Sequence, residues 1–445
     1  MSKFLDFLNR IAPEYLLLGT FAVLIGSGTL LLMLPDFTTN GISPINALFT
    51  STSAACVTGL IVVDTPHAFT FWGQLVILIL IQIGGLGVMT LTTFFAVLSG
   101  RRITLRDRVI VANTLNVNRY GGIIRLLVAV IRYTFLIESA GTMVLFFKFY
   151  QYFPRQPWYA LWQSVFHSVS AFSNAGFSLF SNSLENFVSD PLINITIMAL
   201  IILGGLGFVV LSEIDFNNKP RWKNFSLTTK IVLSTTVLLI VSSFAILMAV
   251  NYSYLHAKMS IGSIVWMSLF QAITPRTAGF DTYPISHLPT ASQLLIVILM
   301  FIGGSPGSTA GGIKTTTFAT IFLRTIGYFR RKDEFDFLGK KISHSSFRKS
   351  VSVFFLSLST ILFGLFMLTL TDPNLPFKSL FFEVFSAFGT VGLDLGVTSS
   401  LSPAGKLVII LMMYVGRMGI VTVFAIFLKR RITTYSYPNE DIMIG

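Results

Sequence analysis

Val57-Thr58-Gly59-Leu60, Asn174-Ala175-Gly176-Phe177, Thr277-Ala278-Gly279-Phe280 and Thr390-Val391-Gly392-Leu393 are four versions of one short phrase. Each glycine closes a short amphipathic stretch too brief to cross a bilayer, and each such stretch lies between two that are long enough. The glycines are 117, 103 and 113 residues apart. Recurrence of this kind marks an internal repeat, here long span, short helix, loop, long span. Finer register agrees. Phe49, Phe166 and Phe382 stand ten residues before their glycines, with Leu269 at that place in the third unit. Ser53-Ala54, Ser170-Ala171 and Ser386-Ala387 stand six and five before, where the third unit departs with Ile273-Thr274.

The short segments at roughly 44–56, 158–173, 262–274 and 378–388 read as descending helices, and the negative ends of their dipoles favour a cation where they stop. Irregular backbone beyond them is tolerable at membrane depth only if it is buried in protein or lines water. Glycine lets a peptide unit turn its carbonyl toward an axis without steric cost. Four such strands around one axis make a ring of carbonyl oxygens able to replace the water around a potassium ion. The candidate filter is therefore Val57, Thr58 and Gly59; Asn174, Ala175 and Gly176; Thr277, Ala278 and Gly279; and Thr390, Val391 and Gly392, with K+ held by backbone carbonyls.

Composition points to the same solvent. Of 445 residues 53% are hydrophobic and 11% charged, and the mean hydropathy is +0.74, which places the chain in a lipid bilayer. Runs long enough to span lie at roughly 14–34, 75–98, 125–149, 193–212, 228–249, 291–323, 348–370 and 406–428. About 20 helical residues cover the hydrocarbon layer, so eight spans are expected, with both ends of the chain on one side. Of the 32 lysines and arginines, 23 fall in the segments that eight spans put on that side, including Arg101–Arg125 and Arg324–Lys349, so both termini are assigned to the cytoplasm. The net charge of +13 is thus explained by topology and calls for no nucleic acid. The first hydrophobic run lacks a small-residue cleavage site and reads as a retained span.

The second long helix of each unit carries its own glycine cluster. Gly84-Gly85-Leu86-Gly87 and Gly204-Gly205-Leu206-Gly207 read as close helix packing. The third unit instead has Gly303-Gly304-Ser305-Pro306-Gly307-Ser308-Thr309-Ala310-Gly311-Gly312-Ile313-Lys314. Five glycines and a proline cannot continue a helix, so this run is expected to be an irregular gating loop below the filter. In the fourth unit Arg417 sits inside an apolar helix, where a charge must face the bundle interior with a partner. It is expected to bond the carbonyls or hydroxyls of the loop. Asp281 and Asp394, two residues past their glycines, would concentrate cations at the outer mouth, although Arg276 offers Asp281 an ion pair instead. Glu138 reads either as an ion-pair member or as a hydrogen-bond acceptor.

Other chemistry finds little purchase. Cys56 is the single cysteine and reads as small apolar packing. His167 stands alone in the second short helix, and the remaining histidines fall in loops. The chain is therefore expected not to be an enzyme and to bind no cofactor. There is no Gly-rich phosphate loop after a strand, so regulation by nucleotide would have to come from a partner.

Together, the four helix–loop–helix units with one filter glycine each, the Gly303–Gly312 run and the arginine of the last helix resemble the Trk/Ktr/HKT superfamily of potassium transporters, most like the KtrB-type membrane subunit of bacterial Ktr systems. The resemblance covers essentially the whole chain. It implies a homodimer with one pore per protomer, docked on a KtrA-like cytoplasmic ring of nucleotide-binding regulators. It makes Gly59, Gly176, Gly279 and Gly392 the selectivity glycines. It also makes 303–314 the intramembrane gate, with Lys314 a local charge that helps to close it. Glycine in all four repeats resembles the potassium-selective class. No repeat has a full TVGYG run, which implies fewer ion sites than in potassium channels.

The expected fold is all-α: eight transmembrane helices and four pore helices in four pseudo-symmetric repeats, at 1–100, 101–220, 221–335 and 336–445. The expected function is K+ uptake across the bacterial plasma membrane through a gated, channel-like pore. The alternative is a Na+- or H+-coupled symporter, which would also use broken helices.

Overall fold

The computed structural model describes residues 13–87, 90–91, 93, 123–214, 222–330, 336–337 and 340–427. The basic stretch 101–122, the N-terminal Lys3 and Arg10, Lys429–Arg431 and the apolar tail at 441–445 lie outside the described residues.

Among the described residues the regular structure is helical apart from a two-residue antiparallel ribbon, β1 (Asp336–Phe337) with β2 (Lys340–Lys341). The first repeat comprises α1 (Pro13–Leu32), α2 (Pro44–Ala55) and α3 (Phe71–Leu86). The second has α4 (Ile123–Tyr152), α5 (Pro157–Phe172), α6 (Pro191–Leu206) and α7 (Phe208–Glu213). The third has α8 (Leu227–Leu255), α9 (Ile261–Ile273), α10 (Thr290–Phe301) and α11 (Thr315–Phe329). The fourth has α12 (His344–Thr371), α13 (Phe377–Gly389), α14 (Pro403–Met418) and α15 (Ile420–Phe427). Local chemistry sets the starts. Proline opens α2, α5, α6 and α14, where its missing N–H costs nothing. Ser226, Ser260 and Ser402 accept a first-turn N–H at α8, α9 and α14.

Among the described residues four helices, α1, α4, α8 and α12, are each long and apolar enough to cross a membrane. A 30-residue helix such as α4 reaches about 45 Å, beyond the ~30 Å hydrocarbon layer. Their outward faces are apolar too: Val23 is 72% exposed, Val237 61% and Phe355 61%. Apolar surface on that scale needs a lipid solvent.

The second helix of each repeat is not one uninterrupted span, which corrects the expectation for 75–98, 193–212 and 406–428. The helices break at Gly87, Gly207 and Gly419, with φ of +84°, +94° and +83°, and in the third repeat at the 302–314 segment. The last glycine of each cluster makes the break. The first glycine of the cluster does pack: a Cβ on Gly84, Gly204 or Gly416 would collide with the carbonyl of Ala55, Phe172 or Phe388, in the last turn of the same repeat's short helix.

Within each repeat the short helix packs on the long first helix, and in repeats one, two and four also on the second. Contacts between repeats then run in one direction: α3 on α5, α6 on α9, α10 on α13, and α14 back on α2. The ring is closed. Its core is aromatic, with Phe49, Phe166, Phe270 and Phe382 at most 1% exposed. In the third repeat Phe270, not Leu269, fills that place, and Leu269 is only half-buried.

Candidate ion-conducting site

Each short helix ends in a tight reversal that carries one of the four glycine phrases. Val57, Asn174, Thr277 and Thr390, two residues before the glycines, have φ of +57°, +58°, +73° and +49°. Gly59, Gly176, Gly279 and Gly392 follow at +90°, +71°, +75° and +90°. Left-handed backbone is uncommon for any residue with a Cβ and is an outlier for valine and threonine, so the surrounding structure must impose it.

Hydrogen bonds from the short helices supply that constraint. The Gly59 N–H donates to Ser53 Oγ at 3.1 Å, and the Gly392 N–H to Ser386 Oγ at 3.1 Å. Ser170 Oγ donates to the Phe177 carbonyl at 2.8 Å. The third repeat uses Thr274, whose hydroxyl donates to the Phe280 carbonyl at 2.5 Å. Its departure from the sequence register is therefore a one-residue deletion in the turn. Phe270 and Thr274 keep the four-residue spacing of Phe49 and Ser53, one place nearer the glycine. The pattern Phe-x-x-x-Ser/Thr on each short helix was the signal for it.

The four glycines meet head to tail. A Cβ built on Gly59 would lie 2.5 Å from the Ala175 carbonyl oxygen, one on Gly176 2.9 Å from that of Ala278, and one on Gly279 2.5 Å from that of Val391. One on Gly392 would strike the Thr58 carbonyl, completing the circuit. Each glycine also packs on the Cα of a neighbouring glycine. No side chain fits between neighbouring strands there. The four strands meet around one point.

Beneath them lies the segment between α10 and α11. Its ends are zipped by the Gly303 N–H donating to the Ile313 carbonyl (2.9 Å) and the Thr315 N–H to that of Gly304 (3.0 Å). It docks on the break in α6: the Ser305 N–H donates to the Gly205 carbonyl at 3.0 Å, the Thr309 N–H to Gly204 at 3.3 Å, and the Phe208 N–H to Gly307 at 2.8 Å. The Thr309 hydroxyl lies 3.1 Å from the Asn174 side-chain amide and 3.3 Å from the Phe172 carbonyl. Gly311 packs under the Thr390 side chain. Ser308 Oγ donates to the Ser305 carbonyl (2.7 Å), and Lys314 Nζ to that of Ala310 (2.7 Å), so the lysine's charge is spent inside the segment. Pro306 and Gly312 sit at its turns, Gly312 with φ of +64°.

Arg417 reaches this segment from α14. Nη1 donates to the Thr309 carbonyl and Nη2 to those of Gly84 and Gly85 at the end of α3. One guanidinium thereby joins the fourth repeat to the third-repeat loop and to the first repeat, while the loop itself rests on the second.

The remaining candidates fall as follows. Asp281 and Asp394 are half-buried just beyond their glycines. Arg276 makes no ion pair with Asp281; its Nη2 donates to Thr236 Oγ1 at 3.1 Å and its Nε has no partner among the described residues. Glu138 accepts from Gln82 Nε2 at 3.3 Å, so the hydrogen-bond alternative holds. Cys56 and His167 are buried, the histidine between the Gln163 carbonyl (2.8 Å) and Ser178 Oγ (3.0 Å).

The model of the TrkH cation transport proteins matches residues 15–434. This chain belongs to that family. It is 40% identical to the Ktr system potassium uptake protein B of Bacillus subtilis, over all of this chain and 99% of the relative. It is 37% identical to the potassium/sodium uptake protein NtpJ of Enterococcus hirae, covering 98% of each. The crystal structure of the potassium transporter TrkH from Vibrio parahaemolyticus superposes with a TM-score of 0.76 at 20% identity, over 94% of this chain and 86% of that one, and so shares the fold.

Proposed function

We propose that this chain is the ion-translocating subunit of a Ktr-type system and takes up potassium across the bacterial plasma membrane through a gated pore. The observation that carries the reading is the head-to-tail ring of Gly59, Gly176, Gly279 and Gly392. Carbonyls of residues 57–59, 174–176, 277–279 and 390–392 replace the water of K+, and the close approach of neighbouring strands fixes their spacing. Asp281 and Asp394 draw cations to the mouth.

Residues 303–314 are the gate. In the arrangement described, the loop lies directly under the strands of the second and fourth repeats, held by Arg417 and by the broken end of α6. Ion passage requires it to move aside. Lys314 keeps the loop folded on itself through Ala310.

The repeats divide at 1–100, 101–220, 221–335 and 336–445, giving eight membrane crossings with both termini in the cytoplasm and four pore helices. Two copies form a homodimer on a KtrA-like ring whose bound nucleotide sets the gate; this chain catalyses no reaction and binds no cofactor of its own. A second reading, coupling to Na+ or H+, is favoured by the likeness to a protein named for both potassium and sodium uptake. Rescue of growth at low potassium in cells lacking K+ uptake tests the function. Uptake that follows an imposed sodium or proton gradient would replace the channel-like mechanism with the coupled one.

A further inference from the structure

Behind the fourth strand stands a group of side chains that neither the filter nor the gate uses. Glu383, on α13, is fully buried, and Thr398, on the return from the filter, is 1% exposed. Thr398 Oγ1 lies 2.8 Å from Glu383 Oε1 and 3.1 Å from Asp394 Oδ2. A hydroxyl carries one proton, so it can donate to only one of two carboxylates. With both acids ionised, one of these contacts would be an oxygen facing an anionic oxygen with no hydrogen between them.

The missing proton belongs on Glu383. Asp394 Oδ2 also receives the Gly396 N–H at 2.9 Å, and the residue is half-open to solvent. Glu383 Oε2 is buried with no partner among the described residues. A charge is far cheaper where it is hydrated and hydrogen-bonded than where it is neither. Nor is a counter-charge at hand on the elements packed around α13. On α14, Lys406 Nζ donates to Asn46 Oδ1 at 3.0 Å, the Tyr414 hydroxyl to the Leu18 carbonyl, and Arg417 serves the loop. On α10 there is no titratable residue, and at the near end of α12 stands only Asp372, which accepts from Ser402.

We propose that Glu383 stands as a neutral acid whose O–H donates to Thr398, while the Thr398 O–H donates to ionised Asp394, and that this relay positions the fourth filter strand. The claim rests on the reading of residues 390–392 as filter. Ser386 pins that strand at the Gly392 N–H, and the relay pins its return from Asp394 to Thr398. Equivalent places in other repeats also tie the short helix to the post-filter strand. His167 meets Ser178 at 3.0 Å, and Gln271 Nε2 donates to the Tyr283 carbonyl at 3.4 Å. Only the fourth repeat uses an acid there.

The test compares the full-length protein with its Glu383→Gln, Glu383→Ala and Thr398→Val variants in lipid, by infrared spectroscopy and by K+ and Na+ uptake into proteoliposomes. The spectrum of the unaltered protein minus that of Glu383→Gln should contain a protonated carboxyl C=O band at neutral pH, and Thr398→Val should shift it. Glutamine supplies an N–H in place of the acid O–H, so uptake and ion preference should stay within about twofold, whereas Glu383→Ala and Thr398→Val should lose roughly tenfold in K+ over Na+ preference. Absence of the acid band, or a folded Glu383→Gln protein as unselective as Glu383→Ala, would overturn the proposal. An unaltered protein that shows the band but passes no K+ would instead overturn the filter reading on which the proposal stands.

Discussion

Replacing Arg417 by glutamine should open the gate without changing the ion chosen. Three carbonyls accept from this guanidinium, but only one, that of Thr309, belongs to the movable loop; those of Gly84 and Gly85 belong to α3. Glutamine is too short to span the gap. The closed arrangement therefore loses one charge-assisted hydrogen bond, worth about 1.5–3 kcal/mol. At about 1.4 kcal/mol per decade, the closed-to-open ratio should fall about 10- to 150-fold. The main-chain bonds of Ser305, Thr309 and Phe208 across the α6 break remain, so the loop is loosened and not released. Rubidium influx into proteoliposomes measures the change, and competition with sodium measures preference. Because Arg417 has no hydrogen bond to any of the four strands, preference should stay constant. Unchanged influx in folded protein, or a changed preference at constant influx, would refute the reasoning.

Gly59→Ser places a side chain at φ +90° with its Cβ 2.5 Å from the Ala175 carbonyl, so K+ over Na+ discrimination should fall by about tenfold in growth-rescue and uptake assays, for a displacement worth roughly 1–2 kcal/mol. Ser53→Ala leaves the buried Gly59 N–H without its acceptor and should lower thermal stability by about 1–3 kcal/mol, read from the melting of the detergent-solubilised protein. Gly84→Leu drives a side chain into the Ala55 carbonyl and should abolish the monodisperse peak in size-exclusion chromatography. Where α4 ends and α6 begins, Lys148 and Asp190 pair at 3.1 Å. Burial pushes the Asp190 carboxyl upward, but the Ile193 N–H and the Lys148 ammonium outweigh it and hold the group below its ordinary 3.8. A depressed carboxylate stabilises the fold above its unfolded value and loses that contribution as pH falls through its folded one. Melting temperature should therefore drop more steeply below about pH 4 in the unaltered protein than in Asp190→Asn.

The glycine phrases were legible because they answer to backbone geometry. Only glycine fits where a Cβ would meet the next strand's carbonyl, so the requirement is written at Gly59, Gly176, Gly279 and Gly392 in the one-letter code. The non-helical course of 303–314 was legible for a related reason, since proline and five glycines within 303–312 forbid a helix. The breaks at Gly87, Gly207 and Gly419 were not. A helix of apolar residues tolerates single glycines, and hydropathy runs smoothly across each of these sites, so composition cannot say which glycine of a cluster packs and which turns. The one-residue shift in the third repeat hid in the same way, because alignment on Gly279 put Leu269 and Ile273 where the structure uses Phe270 and Thr274. The Glu383–Thr398–Asp394 relay spans 15 residues and a reversal of the chain, and no local pattern announces it.

The helix breaks and the 303–314 loop are built as one unit. A helix that stops leaves its last-turn carbonyls without donors. By ending at Leu206, α6 frees the Gly204 and Gly205 carbonyls, and the Phe208 N–H that would have served Gly204 turns to Gly307 instead. By ending at Leu86, α3 frees the Gly84 and Gly85 carbonyls for Arg417. The loop is thus held by acceptors that exist only because two helices are interrupted at its depth. Were the loop to withdraw, those same groups would have to be met by water. Each exchange of a protein partner for water changes the balance by about 0.5–1.5 kcal/mol, so the three main-chain bonds across the α6 break weigh about 1.5–4.5 kcal/mol together. Moving a two-state equilibrium from 1:99 to 99:1 takes about 5.5 kcal/mol. If this segment is the gate proposed above, a partner that favours one arrangement by a few kcal/mol would suffice to shift it.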